Sequence, residues 1–547
     1  MIQKVKEENP ILNHFKGMSP LPDVGDFIFL FIIWLSLFLL PDLFFQDGST
    51  GWHLVTGNYI LENLKIPYTD LISSTYPDKD WVAYEWLFDV AIAALVKLGG
   101  TNLLAVALST TLGFLFLAIY DKCRRNGCGI AVSSFLVMVA ILVSAIHWLA
   151  RPHILTYIFV LIFLFGLDRF YKNNIRTGTL FMLLLPTMLV WTYCHPSFGM
   201  GCIVTLIYFM VTFFQIFLSR DESTRQGARK KSITLFILMA SCTLLTFVNP
   251  YGVNLHLYII EYLQGQEILK STNEFMSPVF HGGLHETCLE ILFLAFVAGL
   301  ARKTKTLDTP TLLVCLAFAH AALAGVRSMP MFAIIATPAI AYLWASPEDE
   351  EENGELESQK QTETETEEEE KEESNPETDP SGPIDRIVTT LKNFEEQEAL
   401  SKMHLVPVLT TVVLIVASLN GGTLFGNKIV NSGFDPNQLP VETINYIQEN
   451  KLMDKTGLNL DNWGGYLRYK LNHRVFIDDR ADFYGYDFYR DYSVMMATGN
   501  KWKELLDKYK IQWVLFPKES KLANALRQQR DWKEVASDKA SALFVKI

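Results

Sequence analysis

The chain has 547 residues, 50% of them hydrophobic, and a formal net charge of −12, with a mean hydropathy of +0.19. Soluble proteins of this size rarely average above zero, and here the apolar residues gather into runs, so an ordinary water-soluble enzyme is excluded. The excess acid sits in one tract, 348–377, so the charge says nothing about a ligand, and no basic stripe interleaved with aromatics marks nucleic-acid binding.

The first 25 residues are polar and read as a tail. The apolar run 26–45 has no small-residue cleavage site at its end, so it reads as an anchor that is kept. Charge-free runs such as 102–120 and 129–146 are long enough to need lipid around them. Eleven spans are expected, near 26–45, 102–120, 129–148, 154–168, 178–193, 200–218, 232–248, 288–301, 310–326, 330–345 and 404–420. The segment 84–98 is short and carries Glu85, Asp89 and Lys97, so it reads as an amphipathic helix in the outer interface. With that assignment, seventeen Lys and Arg residues fall on one side, in the tail and in loops 121–129, 169–176, 220–231 and 302–305, against six on the other before residue 400. The positive-inside rule makes the rich side cytoplasmic.

Cys123 and Cys128 flank a basic turn, but two further metal ligands near them are not evident. Residues 346–403 form an acidic cytoplasmic linker of Glu, Thr, Ser and Pro that cannot bury a core and is expected to be disordered. After the last span, residues 421–547 read as a non-cytoplasmic α/β domain without cysteines. Helical patterns appear there at 440–450, 485–496, 501–509 and 519–529, and strand patterns at 474–478, 512–516 and 541–546. The fold class is thus an α-helical polytopic membrane protein, with a transmembrane domain over 26–345, an outer loop at 46–101, a last span at 404–420 and a C-terminal soluble α/β domain.

This topology collects polar residues at the outer ends of the spans: Asp47, His53, Asp70, Glu85, Arg151, His153, His195, Asn249, Tyr251, Glu274, His281 and Arg327. Ionisable groups at membrane depth are costly and are usually paired or functional. Acids, bases and arginines converging on one outward cavity suit group transfer from a phosphate-linked donor. A carboxylate takes a proton or holds a divalent cation, and arginines clamp the phosphate. The aromatics of the first outer loop, Trp52, Tyr68, Tyr76, Trp81, Tyr84 and Trp86, fit either sugar stacking or an interfacial belt. Asp478, Asp479 and Arg480 fit a local ion pair, and Asp478, Asp479 and Asp482 fall short of a full calcium cage.

The first outer loop carries Asp47, Trp52-His53, Ile66-Pro67-Tyr68-Thr69-Asp70, Trp81 and Glu85-Trp86-Leu87. Further on come Arg151-Pro152-His153, Trp191 with His195, Asn249-Pro250-Tyr251-Gly252, Glu274 before Pro278, and Arg327 before Pro330. The C-terminal domain adds Asn462-Trp463-Gly464-Gly465-Tyr466-Leu467 and Phe476-Ile477-Asp478-Asp479-Arg480-Ala481-Asp482. In these segments the chain resembles a bacterial family of polytopic proteins in the GT-C glycosyltransferase superfamily. That superfamily includes oligosaccharyltransferase catalytic subunits, protein O-mannosyltransferases and lipid A aminoarabinose transferases.

The resemblance implies a GT-C-like fold and transfer of a sugar from a polyprenyl-phosphate-linked donor to a glycan, lipid or protein acceptor on the non-cytoplasmic face of a bacterial inner membrane. It implies Asp47 as catalytic base or metal ligand and Glu274 as its partner. It implies His53, Glu85, Arg151, His153, His195, Arg327, Trp463, Tyr466 and Arg480 as substrate-binding residues, and a divalent cation, Mg or Mn, held by Asp47 and Glu274. The chain departs from the oligosaccharyltransferases in lacking Trp-Trp-Asp; Asp461-Asn462-Trp463 stands in a similar place with the order reversed. That departure puts recognition of a peptide sequon in doubt. Two other classes remain open: a transporter or flippase of lipid-linked glycans, and a non-catalytic assembly or sensor protein.

Overall fold

The computed structural model describes residues 19, 21–264, 273–345 and 403–547. The acidic linker lies almost wholly outside the described residues. Among the described residues, seven helices are long and apolar enough to cross a membrane: Trp86–Arg125, Ile130–His147, His153–Tyr171, Thr177–Cys194, Pro196–Leu218, Leu284–Arg302 and Val326–Trp344. Three apolar helices are shorter, Val24–Leu39, Thr309–Ala324 and Leu405–Leu419. The expected span at 232–248 falls on the helix Glu222–Leu245, whose first turns are charged. Each of the eleven expected segments therefore overlaps a helix, while seven of those helices meet the length and composition of a span.

In chain order, α1 is Val24–Trp34, continued by a π-turn at Leu35–Leu39, and α2 is Ser49–Asn63. The next helix, α3, is Trp86–Arg125, broken at Gly99 and Gly100, where Gly100 takes φ +68°, a value that glycine adopts without steric cost. The break separates the charged segment around Glu85 to Lys97 from the apolar run that follows. Then come α4 Ile130–Ser144, α5 His153–Tyr171, α6 Thr177–Cys194, α7 Gly199–Leu218, α8 Glu222–Leu245 and α9 Val253–Gln264. The bundle is completed by α10 Leu284–Arg302, α11 Thr309–Ala324, α12 Met329–Trp344 and α13 Leu405–Leu419. Aspartates cap several of these helices: Asp23, Asp221 and Asp308 each accept a bond from a first-turn backbone N–H. Helix α12 is buried on nearly every face, as a helix apolar all round should be when neighbours surround it.

The C-terminal domain is built on a four-stranded sheet of β3 Gly457–Asn459, β4 Trp513–Pro517, β5 Trp532–Ser537 and β6 Ser541–Lys546, in the order β3-β4-β6-β5. A small hairpin of β1 Thr423–Leu424 and β2 Asn427–Lys428 precedes it. Strand β3 is parallel to β4, and the other two pairings are antiparallel. The strand expected at 474–478 is absent as a strand: Val475 makes an isolated parallel bridge to Ser73 of the first outer loop. Phe476 beside it packs inside the domain, on Phe488 and Tyr509. Strands β3 and β5 had no clear pattern, the first being three residues long and the second mostly exposed.

The domain docks through α15, Asp461–Leu471, which crosses α2 at glycines (α14 is Thr443–Glu449). A Cβ on Gly51 would overlap the backbone carbonyl of Gly465, and one on Gly465 would press on Gly48 and Trp52. The paired glycines of Asn-Trp-Gly-Gly-Tyr are therefore there for close backbone approach. Ser74 donates to the Val475 carbonyl at 3.0 Å and Arg468 to the Leu71 carbonyl at 2.9 Å, so the first outer loop is clamped between bundle and domain.

Candidate active site at the junction of bundle and domain

The π-turn and a short 3-10 turn at Leu43–Phe45 end α1 and deliver Asp47 beside the start of α2, where its carboxylate accepts the Ser49 backbone N–H at 3.0 Å. The tight loop between α4 and α5 brings in Arg151. Its guanidinium pairs with Asp47, donates to Ser49 Oγ at 2.6 Å, and lies 3.4 Å from Glu274 and 3.4 Å from Asp479. Three carboxylates from three segments distant in sequence thus converge on one arginine. Arg327, from the turn before α12, approaches the other oxygen of Glu274 at 3.9 Å and lies over the Phe275 ring at 5.4 Å. Burial raises the affinity of Glu274 for a proton, but Arg151 and Arg327 outweigh it and hold the carboxyl down at about 2. Asp479 is pushed the opposite way, upward, by burial and by the neighbouring acids Asp47 and Asp478, against the pull of Arg151.

Behind this charged group lies a second, buried cluster. Glu85 sits between His53 Nε2 at 3.9 Å and His195 Nε2 at 3.7 Å. His53 Nδ1 bonds Asp89 at 2.6 Å, and His195 Nδ1 contacts Ser197 Oγ at 2.5 Å. Trp52 stacks on His53 with centroids 3.6 Å apart and donates its Nε1–H to Asp479 at 3.0 Å, so one side chain touches both clusters. Burial pushes Glu85 up to about 8, and it pushes both His53 and His195 well down. Burial thus favours the neutral form of all three.

Of the residues expected at the site, the structure brings Asp47, Glu274, Arg151 and Arg327 into one charged group, and His53, Glu85 and His195 into the group behind it. His153 Nε2 pairs with the His147 carbonyl at 2.5 Å and, among the described residues, hydrogen-bonds to neither group. Trp463 and Tyr466 lie inside the C-terminal domain: Trp463 donates to the Gln438 carbonyl at 2.9 Å, and Tyr466 packs on Phe434. Arg480 is buried between Asp478 at 2.6 Å and Asp70 at 2.7 Å, with Trp81 below its guanidinium at 4.6 Å, so it ties the first outer loop to the domain. Asp479 and Asp89 were not singled out for the site. Asp479 is one residue from Arg480 in a segment that reads equally well as a local ion pair, and Asp89 reads as one more charge on an amphipathic helix. The three acids once considered for calcium point to different partners: Asp478 to Arg480 and Tyr484, Asp479 to Arg151, and Asp482 to Tyr258.

The basic loops meet at the other end of the bundle, where Lys122, Arg125, Lys172 and Thr306 line a cavity of about 590 Å³ with Tyr208 and Tyr342. None of Asp47, Glu274, Asp479 and Arg151 lines this cavity.

No protein-family model matches the sequence, and no curated protein matches it. Among solved structures, the chain matches the apo crystal structure of the Archaeoglobus fulgidus oligosaccharyltransferase over 91% of its own length and 69% of that chain, with a TM-score of 0.54 and 11% identity. The two proteins share a fold. At 11% identity the likeness shows the fold alone.

Proposed function

We propose that this protein is a membrane glycosyltransferase that moves a sugar from a polyprenyl-phosphate-linked donor to a hydroxyl or amine acceptor outside the cytoplasm. The observation that carries the reading is the convergence of Asp47, Glu274 and Asp479 on Arg151, with Arg327 beside Glu274, in a fold shared with an oligosaccharyltransferase. In this reading the acceptor oxygen or nitrogen attacks the anomeric carbon, the bond from that carbon to the phosphate oxygen breaks, and the phosphate leaves with the electron pair. Asp47 takes the acceptor proton. Arg151 and Arg327 neutralise the departing phosphate, since a guanidinium matches phosphate oxygens with paired N–H donors. The phosphate is already a good leaving group, so position and charge supply the acceleration.

Asp47, Glu274 and Asp479 meet on the Arg151 guanidinium and, among the described residues, do not gather their oxygens as a metal site would, so a divalent cation at Asp47 and Glu274 would require Arg151 to move aside; it would then supply Lewis-acid stabilisation of the phosphate. The charged groups stand at one end of the bundle, at the junction with the domain, as a surface active site requires. A transporter instead distributes such groups through membrane depth.

The test is transfer of label from a radiolabelled polyprenyl-phosphate sugar in purified membranes containing wild-type protein or Asp47→Asn. Label reaching an acceptor with wild type and falling at least 100-fold with Asp47→Asn supports the reading. Equal label with both, at equal expression, removes Asp47 from the chemistry. No transfer by folded wild type with any polyprenyl-phosphate sugar pool refutes the function.

A further inference from the structure

A second group of charged side chains lies at the other end of the bundle, and the proposed function does not use it. Asp23 caps α1, Asp26 lies in its first turn, Asp121 is near the end of α3, and His404 immediately precedes α13. These positions are far apart in sequence and meet only because α1, α3 and α13 pack together. His404 Nδ1 bonds Asp26 Oδ1 at 2.7 Å and lies 3.9 Å from Asp23 Oδ2, while its Nε2 lies 3.5 Å from Asp121 Oδ2. One donor atom from each of Asp23, Asp121 and His404 falls within 4.8 Å of the others, and among the described residues no other group of three or more His, Cys, Asp or Glu side chains is so arranged.

The charges do not balance as they stand. Three carboxylates surround one imidazole, and Arg125, 3.4 Å from Asp121, is largely exposed. Asp23 and Asp26 are both buried, with 4% and 1% of their surface exposed. Asp26 Oδ2 has no hydrogen-bond partner among the described residues, although the same carboxylate touches the imidazole. Buried carboxylates of this kind are paired or hold a metal. The backbone of His404 is held at φ +47°, ψ +42°, a conformation costly for a residue with a Cβ, so packing and side-chain contacts fix the imidazole in place.

We propose that Asp23, Asp121 and His404 form a binding site for a divalent transition-metal cation of the Zn²⁺ class, with Asp26 as the residue that orients the imidazole. Asp26 accepts the Nδ1 proton, which leaves the Nε2 lone pair facing Asp121. A carboxylate on the non-ligating nitrogen is the usual support of a metal-bound histidine. The two ligating carboxylates give −2 with a neutral imidazole, and Asp26 adds a third negative charge beside them, so the group attracts a dication. Zinc bonds of about 2.1 Å place tetrahedral ligands roughly 3.4 Å apart, close to the 3.5 Å from Nε2 to Asp121, while Asp23, 3.9 Å from Nδ1, must swing towards Nε2 to complete the set. The imidazole favours Zn²⁺ over Mg²⁺. The bound ion would join the start of the first helix to the start of the last, on the far side of the linker.

The experiment is calorimetric titration of the full-length protein, stripped with chelator and held in detergent, with ZnCl₂ and with MgCl₂ as the comparison. One Zn²⁺ per chain, bound at least 10-fold more tightly than Mg²⁺ and raising the thermal midpoint of the wild type, is the expected result. Affinity should fall at least 10-fold in His404→Gln and in Asp121→Asn, and about 10-fold in Asp26→Asn. Asp47→Asn should bind as the wild type does, which separates this site from the carboxylates at the other end. The proposal is overturned by folded wild type that binds no Zn²⁺ and shows no thermal shift. It is equally overturned by Zn²⁺ binding that survives both His404→Gln and Asp121→Asn, or that disappears with Asp47→Asn.

Discussion

Glu85 offers a test of the buried cluster that needs no substrate. Its carboxyl is pushed up to about 8 from an ordinary 4.5, burial being the cause, with His53 and His195 as its close neighbours at 3.9 and 3.7 Å. The sign follows from linkage. Below about pH 4.5 the acid is protonated in both folded and unfolded chains and costs nothing. As pH rises the unfolded chain ionises first, so stability is lost progressively until the folded carboxyl itself ionises near pH 8, above which the loss is constant. A shift of roughly 3.5 units at about 1.4 kcal/mol each gives an upper bound of about 5 kcal/mol, and relaxation around the ionised acid lowers it to about 2–4 kcal/mol. Glu85→Gln keeps the shape and cannot ionise, so it should match the wild type near pH 5 and exceed it in thermal midpoint by several degrees at pH 9. The assay is the unfolding midpoint of both proteins in one detergent across pH 5 to 9. A difference that does not change with pH would refute the claim that Glu85 is neutral in the folded protein.

Arg151 is the common partner of three acids, and its removal leaves them facing one another. Arg151→Met should cost about 3–5 kcal/mol of stability and abolish transfer, while Arg151→Lys, which keeps the charge without the fork, should restore much of the stability and little of the activity; midpoints and label transfer read the two effects separately. Gly51→Ala places a methyl group against the Gly465 carbonyl and should cost about 1–3 kcal/mol, loosening the domain so that limited proteolysis between 421 and 460 quickens, whereas Gly178→Ala, in open space, should leave the digest unchanged. Tyr258 donates its hydroxyl to Asp482, and Tyr258→Phe should lower the midpoint by an amount equivalent to about 1–3 kcal/mol, with no change if that bond does not form.

Much of the membrane domain was readable because lipid imposes a simple rule: a helix must be long, apolar and free of charge. That rule locates α4, α5, α7 and α12 directly. It is less informative for α8, where charged turns and an apolar run form one helix, and the separate helix read at 84–98 ends at the non-helical Gly99 and Gly100, which turn the chain before the next span. The site was legible in part. Asp47, Arg151, Glu274 and Arg327 stand out because charge at membrane depth is rare. Asp479 does not, because in a soluble domain an acid is ordinary and only docking shows where it goes. The segment 474–478 has the short apolar run of a buried strand, and the same run serves equally well to set Val475 on the outer loop and Phe476 in the domain. Periodicity identifies which face is buried without identifying the partner.

The junction makes the domain part of the site. Arg151 belongs to the bundle, yet one of its three acids, Asp479, comes from the domain, and that acid is also fixed by Trp52 of α2. Arg480, the next residue, is bonded to Asp70 of the outer loop and lies over Trp81, while Asp482, two residues further, is held by Tyr258 of α9. A single four-residue stretch therefore contacts α2, the first outer loop, the α4–α5 loop and α9. Any motion that lifts the domain must break these bonds together, and it would release Arg151 from Asp479 and leave it with Asp47 and Glu274. Closure of the domain and the charge state around Arg151 are consequently one variable. A donor phosphate that draws Arg151 away from Asp479 would favour opening, and the departure of that phosphate would favour closing.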